Sequence, residues 1–277
     1  MIPVAALIIT IIAYLVSGVG GIIAAKGKSG NVKHLSVFVG FAAGGMLAIA
    51  LADLLPETVE ALSELDVGNK ILSALMFCVG AALVFAAHYI VHLFAAKKGE
   101  PHIHTEACCH DFIVEPPKEE NGSLKIPLVA IITLISFSFH GAFEGAALYT
   151  VCLTGIKAGL PLAVAIGIHN LPAGIAVGNS ILTSGYKKRH AICAAFLSGL
   201  TGVIFAVIIF AARPVTAITD NTKLLSIIYP LCAGTLLSTA VAELLPDAIK
   251  QGGAKRATSA CLVGAVITAL ISMIFSV

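Results

Sequence analysis

The chain has 277 residues, of which 58% are hydrophobic and 12% charged, and it carries a formal net charge of +2. Its mean hydropathy of +0.99 belongs to a bilayer protein, since too little polar sequence remains to cover so many apolar helices in water. The scattered positive charge offers no basic stripe for nucleic acid, and tryptophan is absent, which leaves interface anchoring to Tyr, Lys and Arg.

Eight uncharged or nearly uncharged runs follow one another at 1–25, 35–52, 71–96, 126–156, 158–186, 191–212, 224–242 and 257–277. Each approaches or exceeds the ~20 residues a helix needs to cross a ~30 Å hydrocarbon core. The pattern predicts an all-α polytopic membrane protein with eight transmembrane helices in one domain over 1–277. No Lys or Arg precedes Lys26, and the first run is longer than the ~7–15-residue core of a signal peptide, so the first crossing is expected to be retained. Near the inner end of the third run, His88 and His92 stand four residues apart, placed equally well to line an exit or to pack. Cys78, Cys152, Cys193, Cys232 and Cys261 fall in apolar runs and read as small packing residues rather than a disulfide framework.

The segment 97–125 between the third and fourth runs is polar and proline-bearing, a flexible cytoplasmic loop holding His102, His104, Cys108, Cys109 and His110. Adjacent cysteines in a reducing cytoplasm suit thiolate ligation better than a disulfide. Transient metal capture is therefore favoured over a bare solvated linker, although no structural-zinc spacing is present.

Loops alternate sides, and Lys70, Lys157, Arg213 and Lys223 fall on one side while the remaining thirteen of the seventeen Lys and Arg residues fall on the other. The richer side is expected to be cytoplasmic, with both termini extracytoplasmic in a plasma or inner membrane.

The second and seventh runs repeat each other. "FAAGGMLAIALADLLPETVE" from position 41 matches "LCAGTLLSTAVAELLPDAIK" from position 231, both closing on acid-Leu-Leu-Pro-acid. They stand five places apart in the order of crossings, an odd number, so related segments point in opposite directions, as in the inverted repeats of secondary transporters. Asp53 with Glu57, and Glu243 with Asp247, are spaced to share a helix face. They are candidates for carboxylate vestibules at the two mouths, with helix-end capping as the plain alternative. Pro56 and Pro246 are expected to kink or end their helices.

The most informative residues lie mid-membrane. "SFHGAFEG" places His140 and Glu144 one turn apart on the fourth helix, and "IHNLPAGIAVG" places His169 and Asn170 near the middle of the fifth. A charged side chain at such depth costs at least about 2.5–3.5 kcal/mol, so it persists when paired, hydrated or coordinating an ion. Two imidazoles, one carboxylate and an amide suit a borderline divalent metal, Zn²⁺ first, and suit Mg²⁺ or Ca²⁺ poorly. A hydrogen-bonded pair gluing helices is the alternative without metal. Gly141, Gly145, Gly174 and Gly178 are expected to bring the fourth and fifth helices together.

"HGAFEG" and "HNLPAG" resemble the His-Asn-x-x-Glu-Gly and His-Asn-x-Pro-Glu-Gly signatures of the ZIP (Zrt-, Irt-like protein) metal transporters. The likeness extends to eight helices, external termini, a variable loop after the third helix and Leu-Pro-acid endings on helices two and seven. It implies uptake of divalent metal into the cytoplasm through a site on helices four and five, a 3+2+3 fold with helices 1–3 and 6–8 as the repeat, and a homodimer. The departures are Gly141, Ala173 and Gly202, where members with a two-metal centre carry Asn, Glu and often an acid. A mononuclear site of His140, Glu144 and His169, with Asn170 as an optional fourth ligand, is therefore expected, with no catalytic cofactor and the metal as cargo. Zinc leads, with iron, cadmium, manganese, cobalt and nickel as alternatives. Two rivals remain at this stage. One is an intramembrane zinc hydrolase, which lacks a His-Glu-x-x-His pair or a second buried carboxylate beside His140 and Glu144. The other is a metal-gated channel or sensor on the same scaffold.

Overall fold

The computed structural model describes residues 2–27, 32–63, 66–97, 128–183, 185–216 and 221–275, with backbone alone at several helix ends, among them 88, 90–97 and 128–137. All the elements described are helices. They are α1 (Ile2–Lys26), α2 (Val32–Ala48), α3 (Leu55–Ser63), α4 (Val67–Lys97), α5 (Leu128–Thr154), α6 (Ile156–Thr183), α7 (Lys188–Thr216), α8 (Asn221–Ser238), α9 (Leu245–Gly252) and α10 (Ala254–Phe275). Two π-helical segments, Ile49–Leu54 and Thr239–Leu244, join α2 to α3 and α8 to α9.

Among the described residues, seven helices are long and apolar enough to cross a membrane, and α5 is a further helix of 27 residues. The repeated runs extend past the ends expected at 52 and 242. The spans continue as Leu35–Glu60 and Leu225–Gly252, because the prolines are absorbed rather than breaking the helix. Proline has no N–H and its ring crowds the carbonyl four residues back. Here the turn before each proline widens, with Leu55 N–H donating to Ala50 O and Leu245 N–H to Ala240 O, five residues back in both cases. Such a π turn takes one extra residue and keeps the chain hydrogen-bonded inside the membrane.

Packing is inside out relative to a soluble bundle. On α1, Ile8, Ile12, Leu15, Val19 and Ile23 are exposed, while the opposite face buries Ala6, Thr10, Ala13, Tyr14, Ser17, Gly18 and Gly21. Branched aliphatic residues cover the outward face, and small residues let backbones touch. A Cβ at Gly174 of α6 would collide with the Ser17 carbonyl of α1, one at Gly145 of α5 with Gly202 of α7, and one at Gly44 of α2 with the Cys261 carbonyl of α10. On the other flank, a Cβ at Gly234 of α8 would strike the Phe77 carbonyl of α4. The glycines at 141, 145, 174 and 178 therefore do not weld the fourth crossing to the fifth as their spacing suggested. Gly141 and Gly145 face α7, and Gly174 and Gly178 face α1.

Burial separates centre from rim. Two-thirds (67%) of the apolar window is buried in Leu35–Glu60 and Ile156–Leu182, against 17% in Val67–Ala87. His169 and Asn170 sit on one of the two most buried of these spans, α6. In α8, Pro230 removes the N–H that would serve Ser226 O, and the hydroxyl of Ser73 from α4 donates to that carbonyl at 2.6 Å.

Candidate metal centre

α5 and α6 pack against each other and bring Glu144 beside His169. His140, Glu144 and His169 are each 1% exposed or less, and Asn170 is also buried. Such burial in hydrocarbon makes every polar atom's partner a matter of accounting.

Glu144 Oε1 and His169 Nε2 lie 3.1 Å apart. His169 Nδ1 is 3.1 Å from Ala165 O, and since a carbonyl only accepts, Nδ1 carries the proton and donates. Nε2 of a neutral ring then presents a lone pair to a carboxylate oxygen, and neither of those two atoms makes an aligned hydrogen bond. Two acceptors this close are held by positive charge: a proton on Nε2 or a metal ion between them. A histidine whose other ring nitrogen is tied to a backbone carbonyl is also the usual arrangement of a metal ligand.

The second carboxylate oxygen is held from α1. Tyr14 OH lies 3.1 Å from Glu144 Oε2 and 2.9 Å from Gly141 O, so its single proton is shared between two acceptors. The Tyr14 ring lies over Gly202, where a Cβ would collide with it. No side chain fits at 202 without moving that ring. Tyr14 was missed by sequence reasoning; its only signal there was a phenol in the middle of an apolar run, where a hydroxyl needs a partner.

Other expected residues are placed less tightly. His140 is buried one turn from Glu144, but among the described residues no three His, Cys, Asp or Glu side chains gather closely enough to hold a metal ion. Asn170 Nδ2 is buried without a hydrogen-bond partner. Asp53, in the first π segment, is half-buried and accepts from Ser272 Oγ at 2.8 Å, whereas Glu57 is exposed. Glu243, in the second π segment, is buried, and Asp247 in α9 is half-buried. The side chains of His88 and His92, and the loop residues His102, His104, Cys108, Cys109 and His110, lie outside the described residues.

A profile described as ZIP Zinc transporter matches residues 2–272. The chain is 28% identical over 280 residues to the zinc transporter ZupT of Clostridium perfringens, covering 98% of this chain and 95% of that protein. It is 29% identical over 271 residues to ZupT of Chlorobaculum parvum, covering 96% of each. Against ZupT of an Enterobacter species, the identity is 28% over 240 residues, 87% of this chain and 85% of the relative. The match spans the crossings, the two acid-Leu-Leu-Pro-acid turns and the buried histidines and glutamate alike, and the chain belongs to the ZIP zinc transporter family.

Proposed function

We propose that this chain carries a divalent transition metal, zinc foremost, across the membrane into the cytoplasm, and that the ion binds between α5 and α6. The observation that carries this reading is the close approach of Glu144 Oε1 and His169 Nε2, 3.1 Å apart and both fully buried. A carboxylate oxygen and an imidazole lone pair aimed at one point form the nucleus of a zinc site. His140, on the same helix as Glu144, and Asn170, with its buried amide, complete the shell when the ion arrives. A proton carried on Nε2 must leave before that nitrogen can take the dication, so loading and proton release are coupled. The names of the relatives above favour transport over hydrolysis.

The site is mononuclear in this reading. Tyr14 occupies Glu144 Oε2, and its ring fills the space beside Gly202, leaving one carboxylate oxygen for one ion. The surrounding fold is eight crossings arranged 3+2+3, with crossings 1–3 repeated in inverted sense as 6–8. Support comes from paired packing: α2 on α10 is matched by α8 on α4, and α1 on α6 by α7 on α5. The aligned glycines Gly44 and Gly234 each press on a neighbouring backbone carbonyl, and both repeats carry the same π turn before the same proline. Asp53 and Glu57 stand at the outer mouth, and Glu243 and Asp247 at the inner one.

The test is zinc uptake into proteoliposomes by the native chain, Glu144→Ala and His169→Ala. Loss of at least about tenfold in initial rate is expected for each, since either change removes a ligand from a site with few to spare. Native rates in both variants would overturn the assignment.

A further inference from the structure

Buried hydroxyls in a membrane helix commonly bond back to their own backbone, and this protein follows that habit. Thr10 donates to Ala6 O at 2.9 Å, Thr150 to Ala146 O at 2.7 Å and Ser180 to Ala176 O at 2.9 Å, each one turn back. Thr268 of α10 departs from it. Its side chain is fully buried, and Oγ1 has no hydrogen-bond partner, an unsatisfied state that costs free energy in hydrocarbon.

Its position is informative. Gly45 of α2 separates Thr268 from the metal centre: a Cβ built on Gly45 would lie 2.8 Å from His169 Cβ and 3.3 Å from Thr268 Oγ1. One turn further along the same face of α10 is Ser272, whose hydroxyl donates to Asp53 Oδ2 at 2.8 Å. Asp53, Ser272, Thr268 and the Cβ of His169 thus lie in succession along the junction of α2, the first π segment, α6 and α10, elements that are in mutual contact. On the other side of Thr268, towards the start of α10, the junction of α2 and α10 is closed. There Gly264 abuts Phe41 O and Gly44 abuts Cys261 O, backbone against backbone.

We propose that the hydroxyls of Thr268 and Ser272 line the ion's route between Asp53 and the metal centre, Thr268 supplying an oxygen that stands in for lost water just before the ion reaches His169. The inference rests on the zinc-carrier reading above. A hard-oxygen step with one carboxylate at its mouth recruits a dication without holding it, and the nitrogen-bearing site beyond it supplies the affinity. The space left by Gly45 belongs to the same device, because a side chain there would press on both Thr268 and His169.

Thr268→Val keeps the branched shape and deletes only the unpartnered hydroxyl, so the thermal unfolding midpoint is expected to hold or rise. Zinc uptake at subsaturating concentration is expected to fall about fivefold, with Thr268→Ser restoring at least half of the native rate. Thr268→Cys is expected to react with a water-soluble methanethiosulfonate above the level of the native chain, and zinc to slow that reaction. Native uptake by Thr268→Val alongside a dead Glu144→Ala would overturn the route and leave the carrier reading intact. Native uptake by Glu144→Ala would instead overturn the carrier reading, and the route with it. Absence of labelling at Thr268→Cys in a folded, transporting variant would also overturn the route.

Discussion

Tyr14 reaches across from α1 to hold a carboxylate that belongs to α5, and one hydroxyl serves both Glu144 Oε2 and Gly141 O. Tyr14→Phe keeps the ring over Gly202 and deletes that donor. It is expected to lower stability by about 1–2 kcal/mol, read as a drop in the thermal unfolding midpoint in detergent, because the carboxylate is left partly unmet in a dry site. His140, Glu144, His169 and Asn170 were legible in the sequence because ionisable and amide groups are costly in hydrocarbon, so their presence alone calls for a reason. Tyr14 and Thr268 were not. A phenol or hydroxyl is cheap enough in a membrane helix to be common, and only the position of its partner, or the want of one, distinguishes it. His140 was expected to converge on the same point as Glu144 and His169; it is buried one turn from Glu144, and among the described residues no three such side chains gather closely enough to hold an ion. Spacing of one turn places two side chains on one face but leaves their rotamers free.

At the level of elements, the repeat relating α2 and its π turn to α8 and its π turn was readable from matched residues, but its most specific property was not. Pro56 and Pro246 signalled a break, whereas the chain answers with a wider turn that keeps its hydrogen bonds and carries Asp53 and Glu243 within it. Sequence reasoning locates the missing donor and cannot choose among the ways of living without it. Pro56→Ala restores an N–H for Ala52 O and removes the need for the extra residue, so the turn is expected to revert to α pitch. The helix beyond it would rotate by about 100° relative to the part before. Zinc uptake is expected to fall severalfold, with thermal stability unchanged or higher, since alanine is favoured over proline by up to ~3 kcal/mol in a helix interior. Uptake by liposomes and a melting curve on the same preparation check both halves. The glycines give a second lesson. Small residues announced that backbones touch, but the partner is set by which face the whole helix turns inward, so Gly145 meets Gly202 of α7 and Gly174 meets Ser17 of α1.

For the molecule as a whole, composition and run length were enough to establish a helical membrane protein, because the lack of water leaves the backbone few other ways to cross. Charge asymmetry argues for extracytoplasmic termini: with thirteen of the seventeen Lys and Arg residues assigned to one side, a C-terminal epitope on intact cells is expected to be accessible without permeabilisation. Reaction only after permeabilisation would invert the topology and exchange the two mouths. The stacking of α4 on α8 carries a less obvious implication. Ser226 O takes its hydrogen bond from Ser73 because Pro230 cannot provide one. Serine and proline, 157 positions apart, are therefore a single compensated unit. Loss of the serine alone strands an oxygen in oil, while loss of the proline makes the serine dispensable, so drift at either site is conditioned on its distant counterpart.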